Sequence, residues 1–328
     1  MKVFYDSKMS TPSGGYSPSG SKPAAVVADW QAHDLDIEIV GFKPATREQL
    51  CLAHDPSFVD DVMNYRIANG HGNRSKTVTD SCLWTVGSLI AASRQALTDG
   101  ITCSPSSGFH HATFDSAAAF CSYNGLIIAA RQIIGEGLAT TVGIVDCDNH
   151  YGDGTQDIID TLEMDDEIKH WTFGEHYSRK MFCQKEFLSD LGRVIRGMAA
   201  DGVQLILYQA GADPHINDPL GGLMTTEELH ERDRFVFSAC RELGMAVCWL
   251  FAGGYIVEAD GSIPKVLEIH RNTASEAIQI LKAQGCSSPE SKAPKKRIQI
   301  RDTTVENLGK SIAIIGGVRA PKCNESED

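Results

Sequence analysis

The sequence predicts a single doubly wound α/β domain. That expectation rests on strands and helices that alternate through the middle of the chain, on three apolar runs that each close in glycine and a polar side chain, and on the lack of a linker before Gln284. With 328 residues, 42% hydrophobic and 22% charged, the chain has an ordinary soluble composition and the length for one large α/β domain. A catalytic-sized domain over residues 1–284, followed by an extension over 285–328, is the expected division.

Taken in order, residues 1–5 read as a short strand, and residues 6–23, rich in Ser, Gly and Pro, as a long loop before a helix starting near Ala24. Residues 44–50 carry a helix start with Thr46 as its cap, and Asp55 before Pro56 marks another, an acid cap with proline at the first helical position. Helical spacing of apolar residues covers 56–69, 78–97, 118–134, 185–200, 226–243 and 264–281. Between these lie the apolar runs 141–145, 204–210 and 245–251, each short enough to be a buried strand of a parallel sheet. Residues 286–297 are polar, contain Pro289, Pro294 and a Lys-Lys-Arg cluster, and read as a solvated connection. Residues 311–316 have the character of one last strand, and 323–328 that of a frayed end.

No apolar run approaches the ~20 residues of a spanning helix, so no membrane partner is expected. The amino terminus reads as a strand rather than a signal peptide, and the expected compartment is the cytoplasm. Ten cysteines are scattered without a C-x-x-C pair. Cys121, Cys147, Cys240 and Cys248 lie in apolar segments, so they read as free buried thiols in a reducing compartment. The formal charge of −13 argues against nucleic acid, whose phosphates need a basic surface, and is compatible with a cationic substrate.

The organising stretch is Asp146-Cys147-Asp148-Asn149-His150-Tyr151-Gly152-Asp153-Gly154, directly after the run at 141–145. Its acids stand at a strand's carboxyl end, where open α/β sheets place ligands. Asp148 and His150 offer an oxygen and a nitrogen two residues apart, enough for two corners of a tetrahedral Zn²⁺ site, although capping acids beside a surface histidine fit the same residues. The other two runs end in Gly211-Ala212-Asp213 and Ala252-Gly253-Gly254-Tyr255. Exits of parallel strands share one edge, so Asp148, His150, Asp213 and Tyr255 are expected to converge, leaving the open corner typical of a catalytic zinc. Upstream, Gly108-Phe109-His110-His111 follows Ser104-Pro105-Ser106-Ser107 on a loop. There both imidazoles can face one pocket as general base and acid, with Asp146 and Asp153 available to hold them; a plain polar loop is the alternative.

Four motifs, Gly108-Phe109-His110-His111, the Asp-x-Asp-x-His-x-Gly-Asp-Gly run, Gly211-Ala212-Asp213 with Asp218-Pro219-Leu220-Gly221, and Gly253-Gly254-Tyr255, together resemble the zinc-dependent deacetylases. These are the histone deacetylases, acetylpolyamine amidohydrolases and bacterial deacetylase-like amidohydrolases. The resemblance covers residues 3–281, with Leu50, His54 and Phe58 similar to the family's early helix and loop. It implies the arginase/deacetylase fold, a mostly parallel eight-stranded sheet flanked by helices. It also implies hydrolysis of an acetylated amine, an acetylpolyamine or an acetyl-lysine side chain, with one Zn²⁺ per subunit held by Asp148, His150 and Asp213. In that scheme His111 is the general base and acid, oriented by Asp153; His110 stabilises charge, oriented by Asp146; and Tyr255 donates its hydroxyl to the substrate carbonyl. Phe120 and Leu220 match walls of the acyl channel, although both also suit core positions. Asp146, with backbone carbonyls near Thr172 and Phe173, matches a structural K⁺ site.

The sequence departs from the family's pattern in three places. Tyr151 stands where many members carry a second histidine, Ala252 replaces a frequent glycine, and residues 17–23 replace a His-Pro-Glu-type segment. For the opposite channel wall, His176 and Tyr177 are candidates. A binuclear manganese ureohydrolase of the arginase type shares the fold, but its chemistry wants further carboxylates, and His215 lies two residues after Asp213 instead. A silent acyl-lysine-binding module would require a missing ligand, base or tyrosine, and none is missing. The acidic balance and the loop at 6–23 lean towards small cationic amines; whether the chain forms a homo-oligomer is left open.

Overall fold

A computed structural model describes residues 1–11, 17–177 and 182–285. The strands are β1 (Lys2–Phe4), β2 (Glu38–Val40), β3 (Ile101–Cys103), β4 (Val142–Asp146), β5 (Ile168–Thr172), β6 (Leu205–Gln209) and β7 (Ala246–Leu250). The helices are α1 (Lys22–Ala32), α2 (Arg47–Leu50), α3 (Pro56–Met63), α4 (Lys76–Asp99), α5 (Gly125–Gly135), α6 (Asp153–Thr161), α7 (Phe173–His176), α8 (Gln184–Ala200), α9 (Thr226–Glu242) and α10 (Pro264–Gly285). All strand pairs are parallel, in the order β2-β1-β3-β7-β6-β4-β5.

Strand alternation feeds two core layers. In β6, Leu205 and Leu207 face the layer packed by α3, α4 and α5, whereas Ile206 and Tyr208 face the layer packed by α1, α8, α9 and α10. Val247 and Trp249 in β7 join the second layer, Cys248 and Leu250 the first. Both faces of the central strands are therefore apolar, which is why their sequences run on without a polar alternation. Gly143 in β4 is required by this packing, since a β-carbon there would lie 2.6 Å from Ile206 Cδ1.

The α/β architecture is as the sequence predicts, with corrections in detail. Among the described residues the sheet has seven strands rather than eight. The last strand expected at 311–316, and the extension at 285–328 beyond its first residue, lie outside the described residues. The helix expected over 118–134 begins at Gly125, because Ala119 and Phe120 sit at φ +43° and +69° and Asn124 caps the helix through the N–H of Ile127, 3.2 Å away. The helix expected over 56–69 stops at Met63, just before Tyr65 at φ +59°. The expected helix near Ala24 begins at Lys22. Cys121, Cys147, Cys240 and Cys248 are free and buried, and no helix among the described residues is long and apolar enough to cross a membrane.

Candidate active site

Every motif residue leaves the sheet at its carboxyl edge. Strands β4 and β6 lie side by side with Asp146 opposite Gln209, and β7 lies beside β6 with Leu250 opposite Gln209. The three loops that follow are thereby stacked in one row. One donor atom from each of Asp148, His150 and Asp213 lies within 4.8 Å of the others. His150 Nδ1 is 3.0 Å from Asp148 Oδ1 and 3.0 Å from Asp213 Oδ2. Two glycines make room for this contact. A β-carbon on Gly253 would lie 2.6 Å from Asp213 Cγ and 2.7 Å from Asp148 Oδ2, and one on Gly211 would lie 2.6 Å from Asp213 Oδ1.

These donors suit a divalent cation. Asp148 and Asp213 are both buried, and Asp213 Oδ1 has no hydrogen-bond partner. Burial opposes ionisation of each carboxyl. His110 and His150 nevertheless carry Asp148 well below the usual carboxylate range, while Asp213, beside the Asp148 charge, is pushed well above it. His150, bonded to both acids, is raised to about 11. Two buried carboxylates and an imidazole meeting around one point form a donor set that a divalent cation satisfies and that protons satisfy poorly.

Beside the donors stand two histidine–carboxylate pairs. His110 Nδ1 is 2.6 Å from Asp146 Oδ2, and His111 Nδ1 is 2.6 Å from Asp153 Oδ1. The two rings lie 4.1 Å apart, centre to centre. Their environments push them in opposite directions. Burial lowers His110, but Asp146, Asp148 and Asp213 outweigh it and raise the group to about 9. Burial lowers His111 too, and the neighbouring His110 adds to that effect against Asp153. Asp146 has no freedom to turn, because its Oδ1 accepts from Gln209 Nε2 at 2.7 Å and from the Asp148 N–H at 3.0 Å.

Tyr255 faces this group across one pocket, lined by His110, His111, Phe120, Asp148, Gly253 and Tyr255. Its ring centre is 6.4 Å from that of His150 and 6.0 Å from that of Phe120. Burial and the charges of Asp148 and Asp213 raise its phenol, so the hydroxyl stays protonated. Phe120 forms a wall of the pocket in a left-handed conformation, φ +69°, that bulky residues rarely adopt. Leu220 does not line that pocket; it is 38% exposed, with its carbonyl accepting from Asn149 Nδ2 at 3.0 Å. Nor do His176, stacked on Trp171, or Tyr177, whose hydroxyl donates to Asp190 at 2.7 Å. Thr172 stands opposite Asp146 in register, and its hydroxyl accepts the Gly152 N–H at 3.2 Å. His215 turns away from the donors: its Nδ1 accepts the Asn217 N–H at 3.1 Å, so its Nε2 donates to Thr226, also at 3.1 Å.

Sequence reasoning missed several supporting side chains. Gln209 is the polar residue that closes the run at 204–210, a signal of the same kind as the motif residues. Asp218 lies inside a quoted motif, and its carboxylate accepts the N–H of Tyr255 at 2.7 Å and of Leu220 at 2.9 Å. Lys22 carries no local signal, and Arg232 only its place beside Asp233 in the otherwise apolar inward stripe of α9.

Residues 21–193 match the family model of the histone deacetylase domain, more than half of the chain. An uncharacterized protein of Picosynechococcus sp. is 32% identical over 249 residues, 69% of this chain and 81% of the relative. Histone deacetylase 2 of Arabidopsis thaliana is 28% identical over 52% of this chain and 48% of its own length. Acetylpolyamine amidohydrolase 2 of Pseudomonas aeruginosa is 25% identical over 46% of this chain and 50% of its own length. The chain thus spans about half the length of these two named relatives. A parallel α/β sheet that gathers an Asp-His-Asp donor set beside paired histidines is the class of protein defined so far. The chain belongs to the histone deacetylase domain family.

Proposed function

We propose that the chain is a zinc-dependent amidohydrolase that removes the acetyl group from an N-acetylated amine, an acetylpolyamine or an acetyl-lysine side chain. The observation that carries this reading is the meeting of Asp148, His150 and Asp213 within 4.8 Å beside two histidine–carboxylate pairs. Asp148, His150 and Asp213 would hold the zinc, which when bound polarises the amide carbonyl and makes a water acidic enough to attack near neutral pH.

The chain's own side chains divide the remaining work. Asp153 holds Nδ1 of His111, which presents the free Nε2 as the base that takes the water's proton and later returns it to the leaving amine. His110, protonated between Asp146 and Asp148, balances the negative charge that develops beside it. The Tyr255 hydroxyl donates to the substrate oxygen as it gains charge, and Phe120 bounds the acyl channel.

The test is release of acetate from a panel of acetylated polyamines and acetyl-lysine peptides by the purified chain. Release should stop on treatment with a strong chelator and return on adding Zn²⁺. Turnover unaffected by the chelator, or no turnover of any panel member by zinc-loaded protein, would sink the reading.

A further inference from the structure

Helix α9 buries Leu229, Arg232, Asp233, Val236, Phe237 and Cys240, so its inward stripe is apolar except for one adjacent charged pair. Both members of that pair are fully buried. A buried ion pair is weak evidence for stability, because desolvation consumes most of the Coulombic gain, and an apolar pair of similar volume often serves as well. What the guanidinium touches supplies a reason for its presence. Arg232 Nε donates to Asp233 Oδ1 at 2.9 Å, and Nη1 donates to two backbone carbonyls, Gly211 at 2.8 Å and Cys147 at 3.2 Å. Asp233 is held in turn by the hydroxyls of Tyr208 and Thr273, each at 2.5 Å.

The two carbonyls belong to the chain where it leaves the sheet. Strand β4 ends at Asp146 and β6 at Gln209, so Cys147 and Gly211 lie just past the last rungs of the ladder. Each stands in the loop that carries a donor: Cys147 immediately before Asp148, and Gly211 two residues before Asp213. Buried carbonyls must be paired, and here one nitrogen pairs both, fixing the separation of the two loops as well as the direction of each.

We propose that Arg232 is a positioning residue that cross-ties the exits of β4 and β6 and so sets the spacing of Asp148 and Asp213 for the metal. This rests on the reading that Asp148, His150 and Asp213 hold zinc. Arg232 acts through geometry: Nη1 holds both carbonyls while Nε stays on Asp233, a span of two separate nitrogens that lysine, with one, lacks.

Zinc affinity of the full chain, read by competition with a chromophoric chelator, tests this. Arg232→Lys keeps the buried positive charge but has one nitrogen, which cannot stay on Asp233 and also reach the Gly211 and Cys147 carbonyls, so it removes the cross-tie without removing the charge. Arg232→Met removes cross-tie and charge together. Ile133→Ala, a truncation in the other core layer, serves as a control for lost stability. The zinc dissociation constant should rise about 10- to 100-fold in Arg232→Met, the usual cost of losing an outer-shell partner, and by a smaller factor in Arg232→Lys. Ile133→Ala should lower Tm and leave zinc affinity at the parent's value. Parental affinity in Arg232→Lys would overturn the proposal, and this variant decides the matter if Arg232→Met does not fold. Equal weakening by Ile133→Ala would also overturn it, since the effect would then be one of general stability. A parent chain that binds no zinc defeats the assignment of the donors themselves, an outcome distinct from the other two.

Discussion

Lys22, at the start of α1, donates its ammonium to the carbonyl oxygen of Ala252, 2.5 Å away and 230 residues distant in sequence. Ala252 sits at φ +52°, a left-handed conformation that costs a residue with a β-carbon roughly 1–2 kcal/mol. The hydrogen bond holds that conformation, and with it the turn that leads through two glycines to Tyr255. Lys22 is fully buried, and burial lowers its pKa to about 8 against the pull of Asp213, Asp148 and Asp218. Replacing it by methionine keeps the apolar stem and removes the donor. Lys22→Met should lower kcat about 10- to 100-fold, as small displacements of a catalytic group do, with KM changed far less. An unchanged kcat in a folded Lys22→Met protein would show that the Tyr255 turn needs no such anchor.

Gly253 is a test of how closely the donors are packed. Its N–H donates to Asp148 Oδ2 at 2.7 Å, and a β-carbon added to it would come within 2.6 Å of Asp213 Cγ. Gly253→Ala must therefore spread Asp148 from Asp213, and we expect loss of zinc binding and of amide hydrolysis together. Gly41→Ala, where nothing lies within 4 Å of the new carbon, is the matched control and should retain both. Retention of zinc affinity by Gly253→Ala, measured by chelator competition, would contradict this geometry.

Acid sensitivity should centre on His54. Its Nε2 accepts the N–H of Asn124 at 2.8 Å, and its Nδ1 lies 2.8 Å from the Thr113 carbonyl, so the native ring is neutral with its proton on Nδ1. Burial lowers its pKa from 6.5 to about 4. As pH falls through 6.5 the unfolded chain takes up a proton that the folded chain refuses until about 4. The stability tied to the neutral ring is thus complete above that window, declines through it and is gone below, about 3 kcal/mol in all. Urea unfolding at the two ends of the window should show a larger loss for the parent than for His54→Gln. His170, also lowered to about 4, is present in both proteins and cancels in the difference. Equal losses would remove His54 from the account.

The parts of the fold that could be read from sequence are those where one short segment carries its own signal. The apolar runs of β4, β6 and β7 are buried on both faces, so their composition alone marks them, and each delivers its polar residue at the exit. Strands β2 and β3 are three residues long, and β5, Ile168-Lys169-His170-Trp171-Thr172, is half polar, so their identity comes from neighbours rather than from pattern. Apolar spacing continues through Ala118, Ala119 and Phe120, so pattern alone starts α5 before Gly125. The left-handed backbone that breaks it there is imposed by tertiary contacts, including the Phe120 N–H on the Gly70 carbonyl at 2.8 Å. The convergence of Asp148, His150 and Asp213, with His110 and His111 beside them, is legible in the sequence, since their residue types and order at strand exits are unusual together. Lys22 and Arg232 are not. Each bonds to backbone carbonyls far away in sequence, a relationship without any local residue pattern, although a charged pair at inward positions 232 and 233 of an otherwise apolar stripe was a usable clue.

The row of strand exits has a consequence for how the molecule is built. Asp148 and His150 follow the fourth strand, Asp213 the sixth, and the glycine they lean against the seventh, so no amino-terminal fragment ending before residue 253 contains the whole cradle. Asp148 and His150 therefore gain their last neighbour only when more than a hundred residues beyond His150 have been added and the sixth strand lies between the fourth and the seventh. Assembly of the cradle is thereby a late event, complete only in chains whose fourth, sixth and seventh strands already lie side by side.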